Sequence, residues 1–297
     1  MVPEHVRPLR VSEVVDGGFA LARRALARCA PLTLAVILPV ELVIWWAQYR
    51  ILENAPTRGF TFGRFRFSGW ESVAVGGLQL VALALAVAVC CSVTVDAYVG
   101  TSPPTWRGSL TRAVRRLGGI VIMLFIGSFV VLPLGLIVGA LLGLIGILLM
   151  FVAYVLGGVA VALWFCLALG PLAFMVAWYA TAFPALFAEG VSPGKAMGRG
   201  FQLGTRRIIQ NTGAVLMTFG VAAVAWFSLQ SLLALLLRDQ SLGSGIWDTG
   251  VSVLLGIVVT IFVAPALAGV FTAMYFDARV RREGLDLAWA LREDRAT

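Results

Sequence analysis

Residues 117–188 read LGGIVIMLFIGSFVVLPLGLIVGALLGLIGILLMFVAYVLGGVAVALWFCLALGPLAFMVAWYATAFPALFA, 72 consecutive positions without one charged side chain. How often this run crosses a bilayer decides the fold. About 20 apolar residues cross a ~30 Å hydrocarbon core as an α-helix, so the run holds two long spans or three ordinary ones. Shorter uncharged stretches flank it. Glu71 and Asp96 enclose 24 uncharged residues, Arg207 and Arg238 enclose 30, and Asp248 and Asp277 enclose 28. A further stretch from Cys29 to Tyr49 is broken only by Glu41. Each of these four holds one span.

The basic residues choose between the readings of the long run. The N-terminal segment carries Arg7, Arg10, Arg23, Arg24 and Arg28, and the segment after the second span carries Arg107, Arg112, Arg115 and Arg116. Lys195, Arg199, Arg206 and Arg207 follow the long run, and Arg279, Arg281, Arg282, Arg292 and Arg295 lie in the C-terminal region. These 18 cations stand against five elsewhere: Arg50, Arg58, Arg64, Arg66 and Arg238. The positive-inside rule places the 18 in the cytoplasm. All four basic segments share a side only if the long run crosses an even number of times, and three crossings would put Lys195, Arg199, Arg206 and Arg207 outside. Four crossings would leave no residues for turns, so two are expected. The prediction is an all-α, polytopic plasma-membrane protein with six transmembrane helices and both termini cytoplasmic. The two long spans would run to roughly 45–50 Å at 1.5 Å per residue, and Pro133 and Pro171 can kink them. The turn between them, near residues 143–150, has no polar residue and must lie in the interface or against protein. The first 28 residues carry acids and bases throughout and precede a span-length stretch, so they do not read as a cleavable signal peptide.

The composition agrees. Of 297 residues 60% are hydrophobic and only 13% are charged, where a soluble domain carries about 25% charged. Mean hydropathy is +0.93. An ordinary soluble enzyme and a disordered chain are both excluded. The net charge of +8 does not indicate nucleic acid, because the cations are divided among segments and follow the topology rule. Cys29, Cys90, Cys91 and Cys166 lie in or beside apolar stretches without metal-type spacing, so neither a disulfide framework nor a zinc site is read. The single histidine is His5. No cofactor is expected.

Comparing the basic segments exposes a repeat. Residues 18–24 read GFALARR and residues 200–207 read GFQLGTRR, with Phe19 and Leu21 recurring 182 positions on as Phe201 and Leu203. Asp96-Ala97 recurs 181 positions on as Asp277-Ala278. A middle copy begins at residues 106–117, WRGSLTRAVRRL, and ends at Glu189. The chain is thus predicted to be one membrane domain of three pseudo-repeats, about 11–100, 101–190 and 191–280, followed by a cytoplasmic tail 281–297. Each repeat is a basic amphipathic helix followed by two spans. At 100° per residue, Val15, Phe19, Ala22 and Leu26 share a face opposite Arg24 and Arg28. Trp106, Leu110, Val114 and Leu117 do so opposite Arg112, Arg115 and Arg116. Met197, Phe201 and Ile208 do so opposite Lys195, Arg199 and Arg206. Ser192-Pro193 has the form of an N-cap and first helical position. The pattern is that of interfacial helices on an anionic inner leaflet, where each arginine contributes about 1 kcal/mol. They act as topology anchors or, alternatively, as a docking surface for a partner protein.

These residues resemble those of an actinobacterial integral membrane family commonly labelled glycerophosphoryl diester phosphodiesterase membrane domain. Arg7-Pro8-Leu9 with Glu13, Asp16, Phe19 and Leu21 resembles its opening motif. Pro184-Ala185-Leu186 with Glu189-Gly190 is similar to its middle motif, and Tyr275-Phe276-Asp277 with residues 279–287, RVRREGLDL, to its closing motif. The similarity spans most of the chain, and the preference for Arg over Lys suits a high-GC genome. The family's label comes from proteins that fuse this membrane part to a separate catalytic barrel. Such a phosphodiesterase needs histidine and clustered carboxylates around a metal, and one histidine in the N-terminal tail without a carboxylate cluster cannot supply them. The resemblance therefore implies membrane architecture and no enzymatic activity.

Few residues are candidates for chemistry. Glu41 lies inside a span, eight residues before Tyr49 and roughly 12 Å below the outer end, and an intramembrane carboxylate is a functional-site hypothesis. Gln79 lies eight residues into the second span, so an antiparallel neighbour can bring the two into hydrogen-bond contact. Gln48 and Gln230, 182 apart, recur near the outer side. Together they form a candidate polar layer; the alternative is that Glu41 is glue between helices. Asp96, Glu189 and Asp277 close the three repeats and can pair with neighbouring arginines. Gly135, Gly139 and Gly143 form a small-xxx-small stripe that permits close approach within the bundle or in a homo-oligomer, with a hinge as the alternative. Trp45, Trp46, Tyr49, Trp70 and Trp247 fall near outer boundaries, and Tyr98, Trp106 and Tyr275 near inner ones, as an aromatic belt. Alternating Phe and Arg over residues 58–67 suggests a hairpin or interfacial segment. The expected function is a scaffold or regulatory component of a membrane complex, with membrane or cytoplasmic protein partners. The alternative is a transporter or channel built on the polar layer around Glu41.

Overall fold

The computed structural model describes residues 9–54, 60–62, 65–67, 69–100, 106–126, 137, 180–204, 208–236 and 246–284. Most of the long uncharged run, with Pro133, Gly135, Gly139, Gly143 and Pro171, lies outside the described residues, as do Arg206, Arg207 and the tail from 285. The described structure is helical apart from one two-stranded ribbon. Its helices are α1 (Val11–Asn54), α2 (Gly69–Val99), α3 (Trp106–Arg115), α4 (Leu117–Ile126), α5 (Pro193–Gly204), α6 (Ile208–Leu236) and α7 (Ile246–Glu283), with a helical stretch at 180–188. Among the described residues, four helical segments are long and apolar enough to cross a membrane: Val11–Ala47, Gly77–Val99, Ile209–Leu229 and Val253–Glu283. They answer to the stretches read as single spans, as a multi-pass membrane protein requires.

Local chemistry sets the helix ends. Glu13, at the third helical position, accepts from the backbone N–H of Arg10 at 2.8 Å, half of a capping box. Pro193 opens α5, and the Ser192 carbonyl accepts from the Ala196 N–H at 2.9 Å, as the Ser-Pro pair predicts. Gly100, Gly190 and Gly284 have φ of 71°, 66° and 58°. They follow α2, the stretch 180–188 and α7, where a left-handed residue satisfies the last carbonyls and glycine alone adopts it without strain.

One expectation changes here. The first basic segment is not a separate interfacial helix: α1 runs unbroken for 44 residues, roughly 66 Å at 1.5 Å per residue. Pro31 and Pro39 lie inside it. Each removes an intrahelical donor, and both sit on the outward side. In the middle segment Arg116 is a turn residue between α3 and α4.

The core is a three-helix sector in which α1, α2 and α7 all touch one another. Antiparallel α1 and α7 cross with bare backbone in contact. A Cβ on Gly18 would lie 2.6 Å from the Val270 Cα, and one on Gly269 would overlap the Gly18 carbonyl oxygen. Close approach matters because lipid is as apolar as the core, leaving dispersion and hydrogen bonds to favour helix–helix contact. The hydrogen bonds are present. Thr94 and Thr272 hydroxyls lie 2.8 Å apart between α2 and α7, and Thr33 Oγ1 lies 3.3 Å from Cys90 Sγ between α1 and α2. Tyr98 stacks on Phe276 at 4.2 Å between centroids. Cys29, Cys90 and Cys91 are free thiols in this core. Helix α6 touches α7 and α1 through buried Ala214, Val215 and Thr218. In the ribbon, Phe60–Phe62 pairs antiparallel with Phe65–Phe67, setting Phe60 against Phe67 and Phe62 against Phe65. That register answers to the hairpin alternative for the Phe/Arg stretch.

Candidate functional site

Asp96, Glu189 and Asp277 lie at one end of the bundle. Each carboxylate reaches an element other than the helix that carries or precedes it, or the segment leading to one. Arg112 of α3 donates to Asp96 in an ion pair. Arg199 of α5 grips Glu189 through Nε at 3.1 and 3.0 Å and through Nη2 at 3.0 Å. Asp277 accepts from the backbone N–H of Leu9, just before α1, at 2.7 Å. Arg281 completes this clasp: its Nε donates to both Asp277 oxygens at 3.0 and 3.1 Å, and its Nη2 to the Leu9 carbonyl at 2.6 Å. The Leu9 peptide is thus held at both its N–H and its C=O.

Glu189 is the hub of a wider network. The buried Tyr275 hydroxyl donates to Glu189 Oε1 at 2.8 Å. Arg199 Nη2 also reaches Glu283 Oε1 at 2.5 Å, and Arg279 Nε donates to Glu283 Oε2 at 2.8 Å. The Glu189 hydrogen bonds hold the Arg199 guanidinium above the usual arginine pKa; burial opposes this and Glu283 adds to it. Arg116 donates to the Gly190 and Val191 carbonyls at 2.8 and 3.0 Å. Arg282 donates to the Gln202 carbonyl. Charge-assisted bonds of this kind contribute about 1.5–3 kcal/mol where water is excluded.

The packing under the clasps is equally specific. A Cβ on Gly200 would lie 3.0 Å from the Cβ and the N of Ala182, and Thr181 Oγ1 donates to the Gly200 carbonyl at 3.1 Å. Ala182 stands seven residues before Glu189, as Val270, which Gly18 touches, stands seven before Asp277.

The predicted cations divide into two sets. Arg112, Arg116 and Arg199 face partners within the protein. Arg23, Arg24, Arg115 and Lys195 are exposed and Arg28 half-exposed, and none of these five forms an ion pair among the described residues. Along the described part of the apolar faces, Val114 is 58% exposed, Leu117 45% and Phe201 50%, while Met197 packs against the core. The packed sides carry Ala113 on α3 and Ala196, Gly200, Leu203 and Gly204 on α5. Arg199, expected on the outer polar face, is drawn into the Glu189 network. In a membrane an apolar stripe has no need to face protein, whereas small residues let helices approach.

Toward the opposite end, Glu41 of α1 is buried, with Gln79 of the adjoining α2 as its polar neighbour. The side chains of Gln48 and Gln230 lie outside the described residues. No group of three or more metal-ligating side chains occurs among the described residues. Sequence reasoning missed the Leu9 peptide, Tyr275, Arg279, Arg281 and Glu283 as network members, and Gly18, Gly200 and Gly269 as crossing points. The spacing Ala196, Gly200, Gly204 would have signalled the α5 crossing. No family model matches the chain, nor does any curated protein or solved structure.

Proposed function

We propose that this chain is a six-span plasma-membrane protein of three pseudo-repeats, with both termini and the Arg-rich end in the cytoplasm. It acts as a non-enzymatic scaffold or regulatory component of a membrane complex. One observation carries the reading: Asp96, Glu189 and Asp277 are all engaged in tying helices together, while Arg23, Arg24, Arg115 and Lys195 face outward. Charge inside maintains shape, and charge outside is left for the anionic inner leaflet and for partners. The repeat is supported by the matched offsets of the Gly18 and Gly200 crossings, and by left-handed glycines at 100, 190 and 284. The resemblance to the phosphodiesterase membrane-domain family rests on its three motifs in the sequence, whose residues meet at one end of the bundle, Leu9 on Asp277 and Glu189 on Tyr275. Affinity purification in mild detergent tests the function. Stoichiometric protein partners are expected, and a chain that purifies alone at native expression overturns the scaffold.

A second reading has its own observation. It is supported by Glu41, a buried ionisable group within the apolar stretch of α1, as a proton- or cation-coupled transporter requires. Flux through liposomes holding purified protein, lost in Glu41→Gln, would favour it; absence of flux in the wild type would reject it.

A further inference from the structure

The outward side of α1 is a single stripe that changes chemistry along its length. Arg24, Arg28, Pro31, Ala35, Leu38, Leu42 and Trp46 fall within about 40° of the Arg24 direction on either side at 100° per residue. Of these only Arg28 is half-exposed; the others are exposed. Arg24 and Arg28 form no ion pair among the described residues. At the far end the Arg50 guanidinium sits 5.7 Å from the Trp46 ring centroid. From Arg24 to Trp46 is 22 residues, roughly 33 Å, against a hydrocarbon thickness of ~30 Å. The stripe is therefore cationic at one boundary, aliphatic across the membrane interior, and aromatic and cationic at the other boundary.

We infer that this stripe is a binding site for one anionic phospholipid of the leaflet at the Arg-rich end, its phosphate held by Arg24 and Arg28. From Arg28 to Leu38 is ten residues, roughly 15 Å, the depth of one leaflet's acyl region. A chain lying along Pro31, Ala35 and Leu38 thus reaches the bilayer midplane, and the fork geometry of two guanidiniums suits a phosphodiester. Charge complementarity and this length match select a lipid over a soluble protein, which has no acyl segment for the aliphatic half. The inference rests on the reading of the Arg-rich end as cytoplasmic only in naming the leaflet.

The test is native mass spectrometry and lipid competition on the full chain in nanodiscs, with phosphatidylglycerol against phosphatidylcholine. One retained phosphatidylglycerol is expected, not displaced by inorganic phosphate. Arg24→Gln and Arg28→Gln should each weaken retention about five-fold and the double variant about thirty-fold, the fold-change of ~1 kcal/mol per arginine. Lys195→Gln, which removes an exposed cation on α5, should leave retention unchanged. Equal loss in Lys195→Gln, equal retention of phosphatidylcholine, or displacement by inorganic phosphate would each overturn the site. Retention that stays selective while impermeant reagents reach the Arg-rich end from outside would overturn the orientation and leave the site standing.

Discussion

The backbone N–H of Leu9 donates to Asp277 Oδ1 at 2.7 Å, joining positions 268 residues apart. The acid that closes the last span thereby holds the start of the first helix. Asp96 and Glu189 likewise hold α3 and α5. Asp96 and Glu189 thus each bind the basic helix that follows in the chain, and Asp277 returns to the segment before α1.

Breaking that closure should loosen the whole bundle. Asp277→Ala leaves the Leu9 N–H and the Arg281 Nε–H without their acceptor, and should cost ~1.5–3 kcal/mol, read as a lower thermal midpoint in detergent. Asp277→Asn retains an oxygen acceptor for Leu9 and should lose less. Arg281→Ala added to Asp277→Ala should cost less than the sum of the two single changes, because the two side chains bond each other and both hold the Leu9 backbone. Midpoints equal to wild type in Asp277→Ala would refute the closure.

Glycine substitutions should rank by space. Gly18→Ala and Gly269→Ala push a methyl into backbone and should cost about 1–3 kcal/mol or more. Gly200→Ala needs Ala182 to give by a few tenths of an ångström and should cost less. Gly17→Ala meets nothing within 4 Å and should be neutral or slightly stabilising, since alanine is the better helix former. Thermal midpoints of the four variants check the order; a Gly17→Ala effect as large as that of Gly18→Ala would contradict the crossing.

Much of this was legible in the sequence, and the exceptions have physical causes. Glu41 and Gln79 were readable as partners because each lies eight residues from the outer end of antiparallel neighbours. Asp96, Glu189 and Asp277 were readable from their spacing and nearby arginines. The packed faces of α3 and α5 were not: they carry small residues such as Ala113 and Gly200, which give no apolar periodicity, while the larger Val114 and Phe201 stay exposed. The unbroken α1 was hidden because a change from basic to apolar composition carries no helix-stop signal. Leu9 was invisible as a ligand because its contribution is a peptide group, which every residue has.

Arg199 should not tolerate lysine. It meets both oxygens of Glu189 and one of Glu283, and an ammonium cannot reproduce that fork. Arg199→Lys should lower the thermal midpoint by the equivalent of ~1–2 kcal/mol, and Glu189→Gln should do so comparably. A double variant no worse than either single would locate the loss in their shared bond.

The Thr94–Thr272 bond should contribute modestly. Thr94→Val with Thr272→Val removes both hydroxyls without leaving one unpaired partner and should cost ~0.6 kcal/mol or less. Thr94→Val alone removes the hydroxyl that Thr272 pairs with and should cost at least as much, whereas Thr272→Val leaves Thr94 bonded to the Cys90, Cys91 and Ala268 carbonyls and should cost less. A double variant markedly less stable than both singles would contradict the pairing.

The central claim, that the acid-clasped end is one cytoplasmic face, is tested most directly by site-specific labelling. Thr111→Cys on α3 and Gly194→Cys on α5 place exposed thiols beside two of the clasps in a background with Cys29, Cys90, Cys91 and Cys166 replaced by alanine. An impermeant maleimide applied to intact cells should label neither position, and should label both after permeabilisation. Labelling of Gly194→Cys from outside, with Thr111→Cys protected, would contradict the account.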